Sequence, residues 1–238
     1  MKKTIFLSLL LSVLVVSTVF ALSEEIKNNK DKGPLEKVTF IHYKKDNLKP
    51  ITATTNCYKF LAKNAKWKTN EPYYVNPTNG DRLPEDFILN SVNNGVTEWE
   101  NYGGNIFGEG SLSDIYNYNN GNLDGINTAS FGDYSSTNVI AVTTVWGYFS
   151  GPPQTREIVE WDILFNDYFN WGNVNSNPTL MDLQNIATHE LGHSAGMGDL
   201  YTTTCTLETM YGYSGEGETI KRDLNNGDIT GIRKLYGL

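Results

Sequence analysis

An eleven-residue stretch, His189-Glu190-Leu191-Gly192-His193-Ser194-Ala195-Gly196-Met197-Gly198-Asp199, constrains this chain more than any other. Positions four apart on an α-helix differ by about 40° and share a face. His189 and His193 can therefore aim ring nitrogens at one ion. Glu190 projects from the same turn, within reach of a water held there, which is the arrangement of a metal site with a general base. A solvated surface helix could carry the same residues without purpose, but the flanks argue against it. Leu183, Ile186 and Ala187 lead into the motif as an apolar stripe at helical spacing. Gly196 falls where a helix can stop on a residue at positive φ. A turn there folds the chain back and presents Asp199 to the same metal. The remainder of the chain reads as scaffold for this stretch.

The chain has 238 residues, 39% of them hydrophobic, which suits one globular domain with additions. Met1-Lys2-Lys3, the apolar run Ile5 to Phe20 and the small-x-small site Val19-Phe20-Ala21 predict a secretory signal peptide, cut after Ala21. No other stretch is apolar enough to span a bilayer. A soluble extracellular protein, monomeric and without membrane contact in its mature form, is expected. Net charge is −8 but polarised: residues 1–70 carry 13 Lys and 5 acids, whereas residues 71–238 carry 6 basic and 22 acidic residues. An acidic body gives no support to nucleic-acid binding. The basic leader, residues 22–65, reads as a mobile tail, as a segment that docks on the acidic domain, or as a pro-segment removed on activation. Two cysteines, Cys57 and Cys205, leave two readings in an exported protein. Either they form a disulfide, or Cys57 supplies a thiolate that caps the metal in a latent form.

Along the chain, Lys37 to Tyr43 predicts a short strand and 49–56 a linker. The compact domain is expected from Lys66-Trp67, with a first strand at Tyr73-Tyr74-Val75. Leu83-Pro84-Glu85-Asp86 opens a helix, with Pro and acids in its first turn. Ile88, Val92, Val96 and Trp99 form its buried stripe, and Gly103-Gly104 stop it. Residues 103–138 read as loops with short strands between them. Asp114, Asp124 and Asp133 there are oxygen donors of the kind calcium takes, although no EF-hand pattern frames them. Val139–Tyr148 and Glu157–Phe165 predict strong strands. Ile229, Ile232, Leu235 and Tyr236 keep helical spacing at the C-terminus. The fold class is α/β (α+β), a mixed sheet and helices with the site in a cleft below the sheet.

The His-Glu-x-x-His-x-x-Gly-x-x-Asp stretch, followed eleven residues later by Met210, resembles the zinc helix and Met-turn of the metzincin peptidases. Thr209-Met210-Tyr211 ahead of Asp228-Ile229-x-Gly231-Ile232-x-x-Leu235-Tyr236-Gly237, with Lys66-Trp67, is similar to the matrixin branch and its microbial relatives. The likeness covers residues 66–238. It implies a twisted five-stranded sheet, a backing helix at 84–101, an active-site helix at 179–195 and a C-terminal helix. It implies one catalytic Zn2+ held by His189, His193 and Asp199, with Glu190 as base and Met210 as support beneath the metal. Polypeptide substrates would lie along the edge strand, matched here to Val139–Tyr148.

This chain departs from matrixins in two places at the site. Matrixins end the motif in His; here it is Asp199, and the sequence holds only His42, His189 and His193. With His42 in the leader, the His-His-Asp set resembles the snapalysin type. Gly212 stands where matrixins commonly carry Pro in the substrate-pocket wall. The leader also lacks the matrixin Pro-Arg-Cys-Gly sequence around Cys57, which weakens the cysteine-cap reading. The reading from sequence is a secreted zinc endopeptidase; its rival is a secreted binding or surface protein with a structural metal. Structural zinc sites fill all four positions with protein ligands, and only three are visible in the sequence.

Overall fold

Val139–Tyr148 is a largely apolar run and Glu157–Asn166 an apolar one interrupted by Glu160 and Asp162, and they become two long central strands of the sheet. A computed structural model describes residues 32–45, 56–118 and 121–237. The expected signal peptide and the start of the leader, residues 1–31, lie outside the described residues, as does most of the 49–56 linker. The strands in chain order are β1 (Leu35–Lys44), β2 (Tyr73–Val75), β3 (Gly110–Leu112), β4 (Asn127–Gly132), β5 (Val139–Tyr148), β6 (Glu157–Asn166), β7 (Trp171–Gly172), β8 (Met181–Asp182) and β9 (Tyr213–Ser214). Among the described residues the helices are α1 (Glu85–Gly103), α2 (Leu183–Ser194) and α3 (Asn226–Tyr236), with four short 3-10 turns between elements.

The main sheet has the order β3-β2-β4-β6-β5-β1-β9, and β7 pairs with β8 separately. β2 runs parallel to β3 and β4, and β4 parallel to β6; β5 is antiparallel to β6. These five strands form the mixed sheet expected from the sequence. β1 from the leader and β9 from beyond the site helix extend it to seven: β1 pairs antiparallel with β5 from Leu35↔Tyr148 to Tyr43↔Val139 and parallel with β9. The strand expected at Lys37–Tyr43 therefore closes the edge along which substrate was expected to lie.

α1 backs the sheet as its periodicity requires. Pro84 is its N-cap, Glu85 and Asp86 fill its first turn, and Gly104 at φ 75° ends it. Its stripe of Ile88, Val92, Val96 and Trp99 shares one core with Leu183, Ile186, Ala187 and Leu191 of α2. The two helices touch closely because Gly95 has no side chain: a Cβ there would sit 2.8 Å from Leu191 Cδ1. Trp99 donates from Nε1 to the Thr188 carbonyl at 2.7 Å, so its one polar atom is satisfied inside the core. Truncating a buried Trp of this kind to Ala costs about 3–5 kcal/mol.

Candidate active site

α2 begins at Leu183, four residues later than expected, because Met181–Asp182 is drawn into pairing with β7. Asp182 is its N-cap, accepting from the Asn185 amide at 2.9 Å and from the Arg222 guanidinium through both carboxylate oxygens. It serves the helix start and lies away from the site groups. At the other end, the Ser194 carbonyl accepts from Trp67 Nε1 at 2.8 Å and the Ala195 carbonyl from Tyr236 Oη at 3.0 Å. Those last-turn carbonyls would otherwise be orphans. Gly196 then turns the chain at φ 100°, as its position predicts, and a Cβ there would collide with the Ala65 carbonyl.

That turn brings Asp199 back to the helix. Asp199 Oδ1 lies 3.4 Å from His189 Nε2 and 3.3 Å from His193 Nε2. Each imidazole is aimed by its other nitrogen: His189 Nδ1 donates to the Thr209 carbonyl at 2.7 Å, and His193 Nδ1 to the Met197 carbonyl at 3.1 Å. With Nδ1 protonated, both Nε2 atoms present lone pairs to the same point. His189 Nε2 and Asp199 Oδ1 are buried and lack a hydrogen-bond partner. Ligand atoms about 2.05 Å from a tetrahedral zinc lie about 3.3 Å apart, which matches the separations here. The donor set fits a zinc ion.

Burial by itself would push Asp199 toward its neutral form, but His193 and His189 outweigh it and hold the carboxyl well below the usual range. Burial works against a charged His193, yet Asp199 raises it, whereas burial and the neighbouring His42 lower His189 to about 4. Tyr201 donates to Asp199 Oδ2 at 3.1 Å, leaving Oδ1 for the histidine side. Burial and the Asp199 charge keep Tyr201 protonated as that donor. Gly212 leaves room for the pair: a Cβ there would lie 3.1 Å from Asp199 Oδ1 and press on the Tyr201 ring.

Thr209-Met210-Tyr211 packs beneath α2. Met210 is fully buried, and a Cβ at Gly192 would strike Met210 Sδ and Trp99. The turn is pinned by Asp228 of α3, whose carboxylate accepts from the Thr209 amide at 2.6 Å and the Met210 amide at 3.2 Å. Its α3 capping box with Asn225 uses the same carboxylate. Asp228 thus links the C-terminal helix to the carbonyl that orients His189, a connection the sequence motif does not announce.

Glu190 Oε2 accepts from Thr143 Oγ1 of β5 at 2.6 Å, and Oε1 from His42 Nδ1 of β1 at 2.9 Å. Burial raises the Glu190 carboxyl above its ordinary value and drives the fully buried His42 ring well below its own. The ring of His42 lies 3.9 Å from that of His189, and Phe40 stacks on His193 at 3.8 Å with 6° between planes. Sequence reasoning placed His42 apart from the site, because nothing local connects residue 42 to residue 190; its alternation with Phe40 and Val38 on one strand face was the only available signal.

Cys57 and Cys205 form a disulfide with Cα atoms 5.3 Å apart. That removes the reading of Cys57 as a metal-capping thiolate, since the sulfur has no charge to offer. Among the described residues the groups placed to hold a metal are His189–His193–Asp199 and His42–His189–Glu190, and Asp114, Asp124 and Asp133 form no such group. No described helix is long and apolar enough to cross a membrane.

Residues 147–237 match the matrixin peptidase family (Peptidase_M10: Matrixin). Human matrilysin (Homo sapiens) is 47% identical over 51 residues, which is 21% of this chain. The matched stretch spans only 18% of matrilysin's length. The chain is thus similar to matrixin peptidases over its C-terminal part.

Proposed function

We propose that the chain is a secreted zinc endopeptidase in which His189, His193 and Asp199 hold the metal and Glu190 is the general base. The observation that carries this reading is the convergence of two oriented imidazoles and one carboxylate oxygen, 3.3–3.4 Å apart, beside a buried glutamate. When bound, the zinc would polarise the scissile carbonyl and lower the pKa of the attacking water toward about 7. Glu190 takes that water's proton and returns it to the leaving amine. Thr143 fixes one Glu190 oxygen and so sets the direction of the other. Substrate binds extended along β5, where backbone groups supply affinity and alternate side chains meet the cleft.

Hydrolysis of casein and gelatin by the zinc-loaded secreted protein tests the proposal. Glu190→Ala should retain zinc while losing activity by about 10²–10⁴-fold. A zinc-bound wild type that cleaves neither substrate would favour the rival, a binding protein with a structural metal.

A further inference from the structure

We infer that residues 57–61 form a strap that positions the third zinc ligand: they hold the turn Gly196-Met197-Gly198 so that Asp199 meets His189 and His193, and the protein's grip on zinc depends on them. The inference rests on the zinc reading of the site and adds what sets its geometry. The two imidazoles stand on one helix, α2, whereas Asp199 lies beyond its end. Gly196 and Gly198 fill two of the three positions before Asp199, and glycine restricts its backbone least of all residues. Asp199 Oδ1 and His189 Nε2 are buried without a hydrogen-bond partner. Such atoms cost free energy, so a loosely held Asp199 would swing out to water. Something outside the turn has to hold it.

The strap does so as a short antiparallel ladder. Phe60 pairs with Met197, the Leu61 amide donates to the Gly196 carbonyl at 2.7 Å, and the Gly198 amide donates to the Lys59 carbonyl at 2.8 Å. Met197, at the centre of this ladder, also offers the carbonyl that His193 Nδ1 donates to. One ladder therefore fixes both the orientation of His193 and the backbone from which Asp199 departs. The strap lies on α3. Gly227 and Gly231 share a face of that helix, and a Cβ at either would collide with the strap, at the Cys57 carbonyl or at Tyr58 Cβ. Tyr58 Oη accepts from Lys234 Nζ of α3 at 2.7 Å, and Leu61 is buried in the main core.

The disulfide closes the other side. Cys205 is buried in the 3-10 turn Thr203–Cys205, six residues beyond Asp199. Between them, the Leu200 amide donates to the Met210 carbonyl at 2.8 Å and the Gly212 amide to the Leu200 carbonyl at 2.9 Å. Asp199 is thus bracketed: the ladder holds the residue before it, the Met210 turn holds the residue after it, and Cys57–Cys205 ties the strap to the loop that follows. The strap precedes Lys66-Trp67, where the compact domain was expected to begin, so this end of the leader belongs to the frame of the metal site.

The test uses the full chain and reads the metal directly. Leu61→Pro deletes one ladder donor. Leu61 opens a 3-10 turn, and Phe60 before it is extended at φ −107° and ψ 147°, so the backbone accepts proline. Leu61→Ala loses the side chain and keeps the amide, so the difference between the two variants belongs to the ladder. The readouts are the zinc dissociation constant, by competition with a chromogenic chelator, and the visible spectrum of the Co2+-substituted protein. Leu61→Pro should bind zinc about 10–100-fold more weakly than Leu61→Ala, the loss typical when a group that orients a ligand is removed, with a weakened tetrahedral Co2+ band. Cys57→Ser/Cys205→Ser should shift both readouts in the same direction. Folded Leu61→Pro and cysteine variants that bind zinc as tightly as Leu61→Ala and wild type overturn the strap and leave the ligand set standing. A wild-type zinc affinity that Asp199→Ala leaves unchanged overturns the ligand set, and this inference with it. If the proline variant fails to fold, the cysteine variant decides alone.

Discussion

Replacing both cysteines, Cys57→Ser/Cys205→Ser, should cost this protein more than any single surface change. The bridge closes a loop of 148 residues in sequence separation. A cross-link over that length removes about 17 cal/mol/K of chain entropy from the unfolded state, about 5 kcal/mol at 25 °C. Domains of this size are stable by only about 5–15 kcal/mol in total, so the loss is a large fraction of the margin. With a urea m-value of about 2 kcal/mol/M, the midpoint should fall by about 2.5 M. Five tryptophans provide the signal, and three of them, Trp99, Trp161 and Trp171, are fully buried. The experiment is an equilibrium urea titration by Trp fluorescence, zinc present, wild type beside the double variant. A midpoint shift below about 0.5 M would refute the reasoning, because it would mean that residues 57–205 are not cross-linked or that the unfolded chain gains no freedom from their release. A larger m-value in the variant would point the same effect at the unfolded state directly.

Asp199→His should keep zinc and restore a more positive site, moving the acidic limb of the pH–rate profile to lower pH; an unchanged profile counts against Asp199 as a ligand. Gly192→Ala should destabilise by about 1–3 kcal/mol in thermal or urea unfolding, because a Cβ there meets Met210 and Trp99; a neutral result would mean the Met210 turn is free to shift. Burial raises Asp162 to about 7, while Thr128 alone opposes it at 2.5 Å and Oδ2 has no partner. A folded pKa above the unfolded 3.8 means that the folded state holds the extra proton, so stability present below pH about 4 is lost as pH rises through about 7. Asp162→Asn should flatten that slope in urea midpoints measured from pH 4 to 8, and an identical slope in both proteins would remove Asp162 as its source.

What the sequence carried by itself was whatever depends on neighbours along the chain. Four-residue spacing put His189, Glu190 and His193 on one helix; the missing side chain of Gly196 allowed the positive φ that returns Asp199; Pro84 and two acids set the start of α1. The runs Tyr73–Val75 and Val139–Tyr148 marked strands to the residue, since β-branched and aromatic side chains favour extended backbone locally. β4 was expected only as one of the unplaced short strands within 103–138, because Asn127–Gly132 is a mixed polar segment whose extension comes from its neighbours β2 and β6. Asp228 stood in the sequence pattern but its role did not: it holds two amides 18 and 19 residues away.

Only the tertiary structure decided the partner of β1. Residue 42 meets residue 190 across 148 positions, and no periodicity reaches that far. Strand alternation told which side chains of 35–44 share a face, but not which sheet edge would take them. That choice belongs to long-range pairing: an unfilled edge at β5, a buried glutamate needing a donor, and an imidazole arriving at the right register.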